Sequence, residues 1–335
     1  MGERAREQAG QQREASGGEG GGTAAPVAHE HDDGGGAPPA FEDLPVPYPT
    51  DTGDPEDEPG TRLWTPQGFA MTDDGKHVVT TFYDRGDPES GMLAIQPTDG
   101  GPVTYIPLEG NDHYGGVTIN GDNVYVSGNG TAGEADGSFV HLYSLRELMN
   151  SPEGVTPELD EADVFTVPTA STLTVHDDSL FVAKFSQGDA DEDPPTVYEY
   201  RLREDGSFPE DGEDSEWKDR FAAPEGAQGM TTDDGENFFF TSSNGFESPS
   251  ELIHLNRHDE IPTVVRSDLN PVSQGIVRHD GQFIITNESA APGEYSEKVE
   301  NGDLDPAGTL QTVDVPDWPD GRPPPGYGVP GLFGF

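Results

Sequence analysis

An all-β fold of five repeats is predicted by three observations on this chain of 335 residues. From Trp64 onward, short runs rich in Val, Ile, Phe, Tyr and Thr alternate with Gly/Asp/Asn turns. Helix-length amphipathic stretches are nearly absent, and one strand-turn-strand unit recurs five times. The units are TPQGFAMTDDGKHVVTTFYD from Thr65, HYGGVTINGDNVYVSGNG from His113, TASTLTVHDDSLFVAKFS from Thr169, GAQGMTTDDGENFFFTSSNG from Gly226 and VSQGIVRHDGQFIITNES from Val272. The aligned positions Gln67, Gly115, Ser171, Gln228 and Gln274 stand 48, 56, 57 and 46 residues apart, a period the size of one four-stranded blade.

Taken in order, each unit is followed by a third candidate strand: GMLAIQP, SFVHLYSL, TVYEYRL, ELIHLNR and TLQTVDV. A fourth follows in four cases, as PVTYIPL, ADVFTVP, the stretch from Trp217 to Phe221, and PTVVRSD. Four antiparallel strands repeated about an axis make a β-propeller, which hides strand edges by radial repetition. The fifth repeat runs from its third strand into PDWPDGRPPPGYG, so its outer strand must come from elsewhere. The N-terminal candidates are Phe41 to Pro49 and Thr61 to Trp64. A five-bladed ring closed by an N-terminal strand is therefore expected, with a six-bladed ring assembled from both termini as the alternative. Residues 1–60 read as a disordered acidic Gly/Pro-rich leader, 61–317 as the propeller and 318–335 as a Pro/Gly-rich tail.

Charge restricts the function classes. The chain has 65 Asp+Glu against 17 Lys+Arg, a formal charge of −48. Such a surface repels phosphate backbones and anionic membranes, so a nucleic-acid partner is not expected. Residues 1–62 carry 14 acids and 4 bases, so most of the charge belongs to the body. Only four bases are Lys. This is the surface of a halophilic, salt-adapted protein, because the Debye length shrinks to about 3 Å at 1 M salt and self-repulsion is screened. With no Cys, thiolate chemistry and Cys-ligated zinc are excluded. No run approaches the roughly 20 apolar residues of a membrane span, and the opening residues lack a signal peptide's apolar core.

In a propeller, the loops entering strand one and leaving strand two of every blade share one face. That axial mouth collects Gln67, His113, Tyr114, Ser171, Gln228 and Gln274 from strand starts, and Tyr83, Asn129, Lys184, Asn244 and Glu288 from strand ends. These are mostly uncharged groups in an acidic chain, so the mouth is the expected ligand-binding site. Glu288 and His113 are the catalytic candidates, as a base and acid on one rim. Glu288 with Asn129 and Asn244 is the candidate metal set. Oxygen and amide donors suit Ca²⁺, but one carboxylate is few for that ion, and no cofactor is assigned.

Other motifs read as structure. The turns TDDG, HDD and HDG recur where hairpins must turn, and the acidic segments from Gly188 and Glu210 lack calcium-loop spacing. His29, Glu30, His31, Asp32 and Asp33 read as solvated linker. No serine elbow, phosphate loop, HExxH or dinucleotide fingerprint is present.

On the motifs WTPQGFAMTDDG, HYGGVTINGDNVYV, ASTLTVHDDSLFVAKF, AQGMTTDDG and SQGIVRHDGQFIITNES, residues 62–316 resemble a group of uncharacterised, usually secreted bacterial and haloarchaeal propeller proteins. More distantly the chain resembles the gluconolactonase, paraoxonase and strictosidine-synthase superfamily. The resemblance implies a propeller and an extracytoplasmic location, although no signal peptide is visible. The lactonase branch holds its metal with an acid, two Asn and an Asp at inner-strand starts. Here those positions are Gln67, Gly115, Ser171, Gln228 and Gln274, so the lactonase ligand set is absent. The expectation is a monomeric binding module that takes a small molecule or protein at its mouth. A lactonase-like hydrolase and a cell-surface interaction protein are the alternatives.

Overall fold

The computed structural model describes residues 41, 44–47, 64–85, 91–108, 113–129, 138–152, 154–155, 157–186, 194–209, 217–243, 245–259, 261–290 and 308–315. Most of the expected leader and all of the expected tail lie outside these residues.

The described chain forms five antiparallel sheets in a ring, a five-bladed β-propeller. Blade 1 is β1 (Trp64–Met71), β2 (His77–Asp84), β3 (Gly91–Pro97) and β4 (Thr104–Leu108). Blade 2 is β5 (His113–Asn120), β6 (Asn123–Asn129), β7 (Ser138–Ser144) and β8 (Val164–Val167), with the short helix α1 (Leu145–Asn150) after β7. Blade 3 is β9 (Thr172–His176), β10 (Ser179–Ala183), β11 (Thr196–Arg201) and β12 (Asp219–Ala222). Blade 4 is β13 (Ala227–Thr232), β14 (Asn237–Ser242), β15 (Ser250–Asn256) and β16 (Thr263–Leu269), and blade 5 is β17 (Ser273–His279), β18 (Gln282–Asn287) and β19 (Gln311–Asp314). The inner strands β1, β5, β9, β13 and β17 neighbour one another in turn, and β17 closes onto β1. The six-bladed alternative is thereby replaced.

Blades pack face to face because each carries apolar side chains on both faces. The seam between blades 1 and 2 holds Leu93, Ile106, Tyr114 and Val126, and that between blades 3 and 4 holds Phe181, Phe238 and Phe240. At the axis, backbone approaches backbone. A Cβ on Gly115 would lie 2.2 Å from the Ser171 carbonyl oxygen, and one on Gly229 would lie 2.3 Å from the Gln274 carbonyl oxygen. Only glycine permits that approach. Next to these glycines the inner strands are bulged, between Pro66 and Phe69, His113 and Gly116, Ala227 and Gly229, and Ser273 and Ile276. A bulge re-aims the side chains it carries, here Gln67, Gln228 and Gln274.

The ring is closed by residues 44–46. Pro45 bridges Thr309 antiparallel, the Val46 amide donates to the Gly308 carbonyl (3.1 Å), and the Leu310 amide donates to the Leu44 carbonyl (3.2 Å). Leu44 and Val46 are buried with Phe69, Met71 and Val78 of blade 1 and Ile284 and Leu310 of blade 5. Each such side chain contributes roughly 1.5–3 kcal/mol. The other closing candidate fails: Trp64 opens the inner strand β1, paired with Asp84.

Blades 3 and 4 are also joined by charge. Glu199 on β11 is buried and takes Lys218 Nζ at 2.7 Å, Ser179 Oγ at 2.9 Å and Arg257 Nη2 at 2.5 Å, the last from the end of β15. Arg257 also reaches Asp219 at 2.9 Å and lies over the rings of Phe181 and Phe221. Among the described residues no helix is long and apolar enough to cross a membrane.

Candidate functional site: the axial mouth

Strand register sets one face of the ring. His113 pairs with Asn129, Ser273 with Asn287, and Ala227 with Ser242, so inner-strand starts stand beside second-strand ends as expected. Glu288 begins a 3-10 turn (Glu288–Ala290) directly after β18, and its amide donates to the Val272 carbonyl at 3.0 Å. Val272 has φ +55°, a conformation that costs a β-branched residue on the order of 1–3 kcal/mol. The strained residue sits where the chain turns into β17, and its carbonyl holds the Glu288 backbone.

Glu288 is the hub. Its Oε1 accepts from Gln67 Nε2 at 2.7 Å and from Gln274 Nε2 at 3.0 Å, while its Oε2 lies 3.5 Å from Arg85 Nη2. Gln67 also donates to the Pro66 carbonyl at 3.0 Å. Arg85 Nε donates to Tyr83 Oη at 2.6 Å, and its guanidinium carbon lies 5.6 Å from the Tyr83 ring centroid. Tyr83 stacks on His113 with centroids 4.0 Å apart and planes at 23°. One connected network thus runs through blades 5, 1 and 2.

The electrostatics of His113 follow from this setting. Burial pushes its pKa below the usual imidazole value, the Arg85 cation pushes it further down, and Glu288 opposes both. The ring is neutral at neutral pH and retains an acceptor nitrogen.

The remaining expected residues are placed unevenly. Gln228 on β13 is half-buried, and its amide makes no hydrogen bond with any described residue. Ser171 is half-buried and donates its amide to the Ala183 carbonyl at 3.0 Å, next to Lys184 at the mouth end of β10. Asn129 ends β6 opposite His113, and Asn244 lies outside the described residues. Tyr114 departs from expectation. Its ring is fully buried in the seam between blades 1 and 2 against Phe139, because the β5 bulge turns it outward from the axis. Arg85 was not anticipated; the only sequence signal is a base directly after Tyr83 and Asp84 in a chain short of bases.

For a dication the donor set is a poor fit. Both amides on Glu288 Oε1 present N–H groups, and the described residues hold no group of three His, Asp or Glu side chains that could take a metal.

No protein-family model matches this chain, and no curated protein matches it. Among solved structures it is similar to a GH43_1 enzyme from Xanthomonas citri complexed with xylotriose, at 12% identity over 84% of this chain and 94% of that one, with TM-score 0.44. It is similar to the PQQ-bound aldose sugar dehydrogenase of Streptomyces coelicolor, at 16% identity over 68% and 76%, with TM-score 0.40. The β-propeller domain of the trilobed protease from Pyrococcus furiosus gives 11% identity over 67% and 64%, with TM-score 0.34. At these values no activity transfers to this chain.

Proposed function

We propose that this protein is a salt-adapted binding module that takes a small ligand at its axial mouth. The observation that supports the reading is the Glu288 network. Two glutamines from neighbouring blades are spent on orienting one carboxylate, and the carboxylate is tied to a Tyr83–His113 stack. Holding a charged group in one geometry on a rigid ring costs side-chain entropy that a merely solvated surface has no reason to spend. On the neighbouring blade 4, the half-buried Gln228 amide bonds to no described residue and offers a further donor and acceptor.

Thermal-shift titrations of the full chain with small lactones, sugars, carboxylates and divalent cations test the reading, repeated on Gln228→Ala and Glu288→Ala. At least one compound class is expected to raise the wild-type midpoint, with the response reduced in both variants. Identical responses in all three proteins would sink the proposal.

A hydrolase is the second reading, and one observation favours it: His113 is held neutral beside a carboxylate, the state a general base requires. Turnover of a lactone or ester that is lost in both His113→Gln and Glu288→Gln would select it.

A further inference from the structure

The mouth has two unlike sectors. In blades 5 and 1 the polar groups are already engaged around Glu288. In blades 3 and 4 two described side chains, Lys184 and Gln228, are not. Lys184 is half-buried, and its ammonium makes no hydrogen bond or ion pair with any described residue. The other two described lysines are both paired, Lys76 with Asp74 at 3.0 Å and Lys218 with Glu199 at 2.7 Å. In a chain of charge −48, a half-buried lysine that pairs with no described carboxylate is the exception to be explained.

Its neighbours on the ring share its character. The Ser171 amide bonds to Ala183, which brings Lys184 beside the entry to β9, and β9 lies between β5 with His113 and β13 with Gln228. Lys184 offers three N–H donors and Gln228 offers two, while the carboxylates placed at this rim, Asp84 and Glu288, belong to blades 1 and 5. An amine or metal ion would meet N–H donors here, and a neutral ligand would leave the ammonium without a counter-charge.

Resting on the mouth-binding reading above, we infer that the ligand carries a carboxylate, received by Lys184 with Gln228 and His113 alongside. The charge-assisted contact to Lys184 then supplies the selectivity, since hydrogen bonds to charged groups are roughly twice as strong as neutral ones.

Paired probes test this in molar KCl by calorimetry on the full chain: glucuronate against glucose, succinate against 1,4-butanediol, and inorganic phosphate. The carboxylate of at least one pair is expected to bind at least about tenfold tighter than its neutral partner. Lys184→Gln should abolish that preference, and Lys184→Arg should restore most of it. Neutral partners binding as well as carboxylates, phosphate binding best, or a preference that survives Lys184→Gln would overturn the carboxylate assignment while leaving the mouth as a binding site. No heat with any probe, together with no thermal response to any class in the wider panel, would overturn both.

Discussion

At the scale of single residues, the side chains that matter most are those whose surroundings contradict their ordinary chemistry. His141 on β7 is buried, stacked on Phe139 at 4.2 Å, and lies 3.3 Å from Tyr143 Oη through its Nδ1. Burial pushes its pKa from 6.5 down to about 4. The unfolded chain therefore binds a proton below about pH 6.5 that the native state refuses until about pH 4, so stability is lost as pH falls through that window. The loss is on the order of 3 kcal/mol. Chemical denaturation at pH 7, 5.5 and 4.5 should show that decline, and His141→Phe, which keeps the aromatic stack, should flatten it. An equally steep decline in the variant would refute the assignment. The glutamines of the mouth were legible in the sequence because the repeat aligns them. Arg85 was not, since a base at a strand end declares no partner 203 positions away. Tyr114 could not be placed either, because a bulge in β5 rotates it out of the alternation that a regular strand would follow.

At the scale of elements, the blades are joined by seams, and the seam between blades 3 and 4 carries a buried charge cluster. Burial alone would raise the Glu199 pKa, but Lys218, Arg257 and Ser179 outweigh it and hold the carboxylate below its usual range. A depressed carboxylate contributes stability that is present above its unfolded value and is lost as acid titrates it in the fold. Removing Arg257 leaves a buried acid with only Lys218 and Ser179. Arg257→Ala should cost about 3 kcal/mol or more in urea unfolding at pH 7. The double variant Arg257→Ala with Glu199→Gln should recover part of that loss, because no unpaired charge remains buried. Equal stability of single variant and wild type would show the pair to be idle. The strands themselves were readable from period-two patterning and turn residues. What joins them across a seam was not, because Glu199 and Arg257 are 58 residues apart and share no local pattern.

At the scale of the whole molecule, a charge of −48 must be screened. The Debye length falls from about 10 Å at 0.1 M salt to about 3 Å at 1 M, so repulsion among surface carboxylates fades while buried pairs such as Glu199–Arg257 keep most of their attraction. The thermal midpoint should rise steadily in KCl from 0.1 M to molar concentrations and respond far less to sucrose of matched osmolality. A midpoint indifferent to KCl would remove salt adaptation as the account of the charge. The sequence alone determined the repeat and the order of strands, with five blades expected and six as the alternative, because each blade is a local unit whose hairpins need only near neighbours. That the ring closes at five blades, which N-terminal residues close it, that Glu288 draws its two glutamines from β1 and β17, and that Lys184 pairs with no described carboxylate were decided only by tertiary structure. Those contacts form where distant segments meet, and a linear pattern carries no record of the distance across a closed ring.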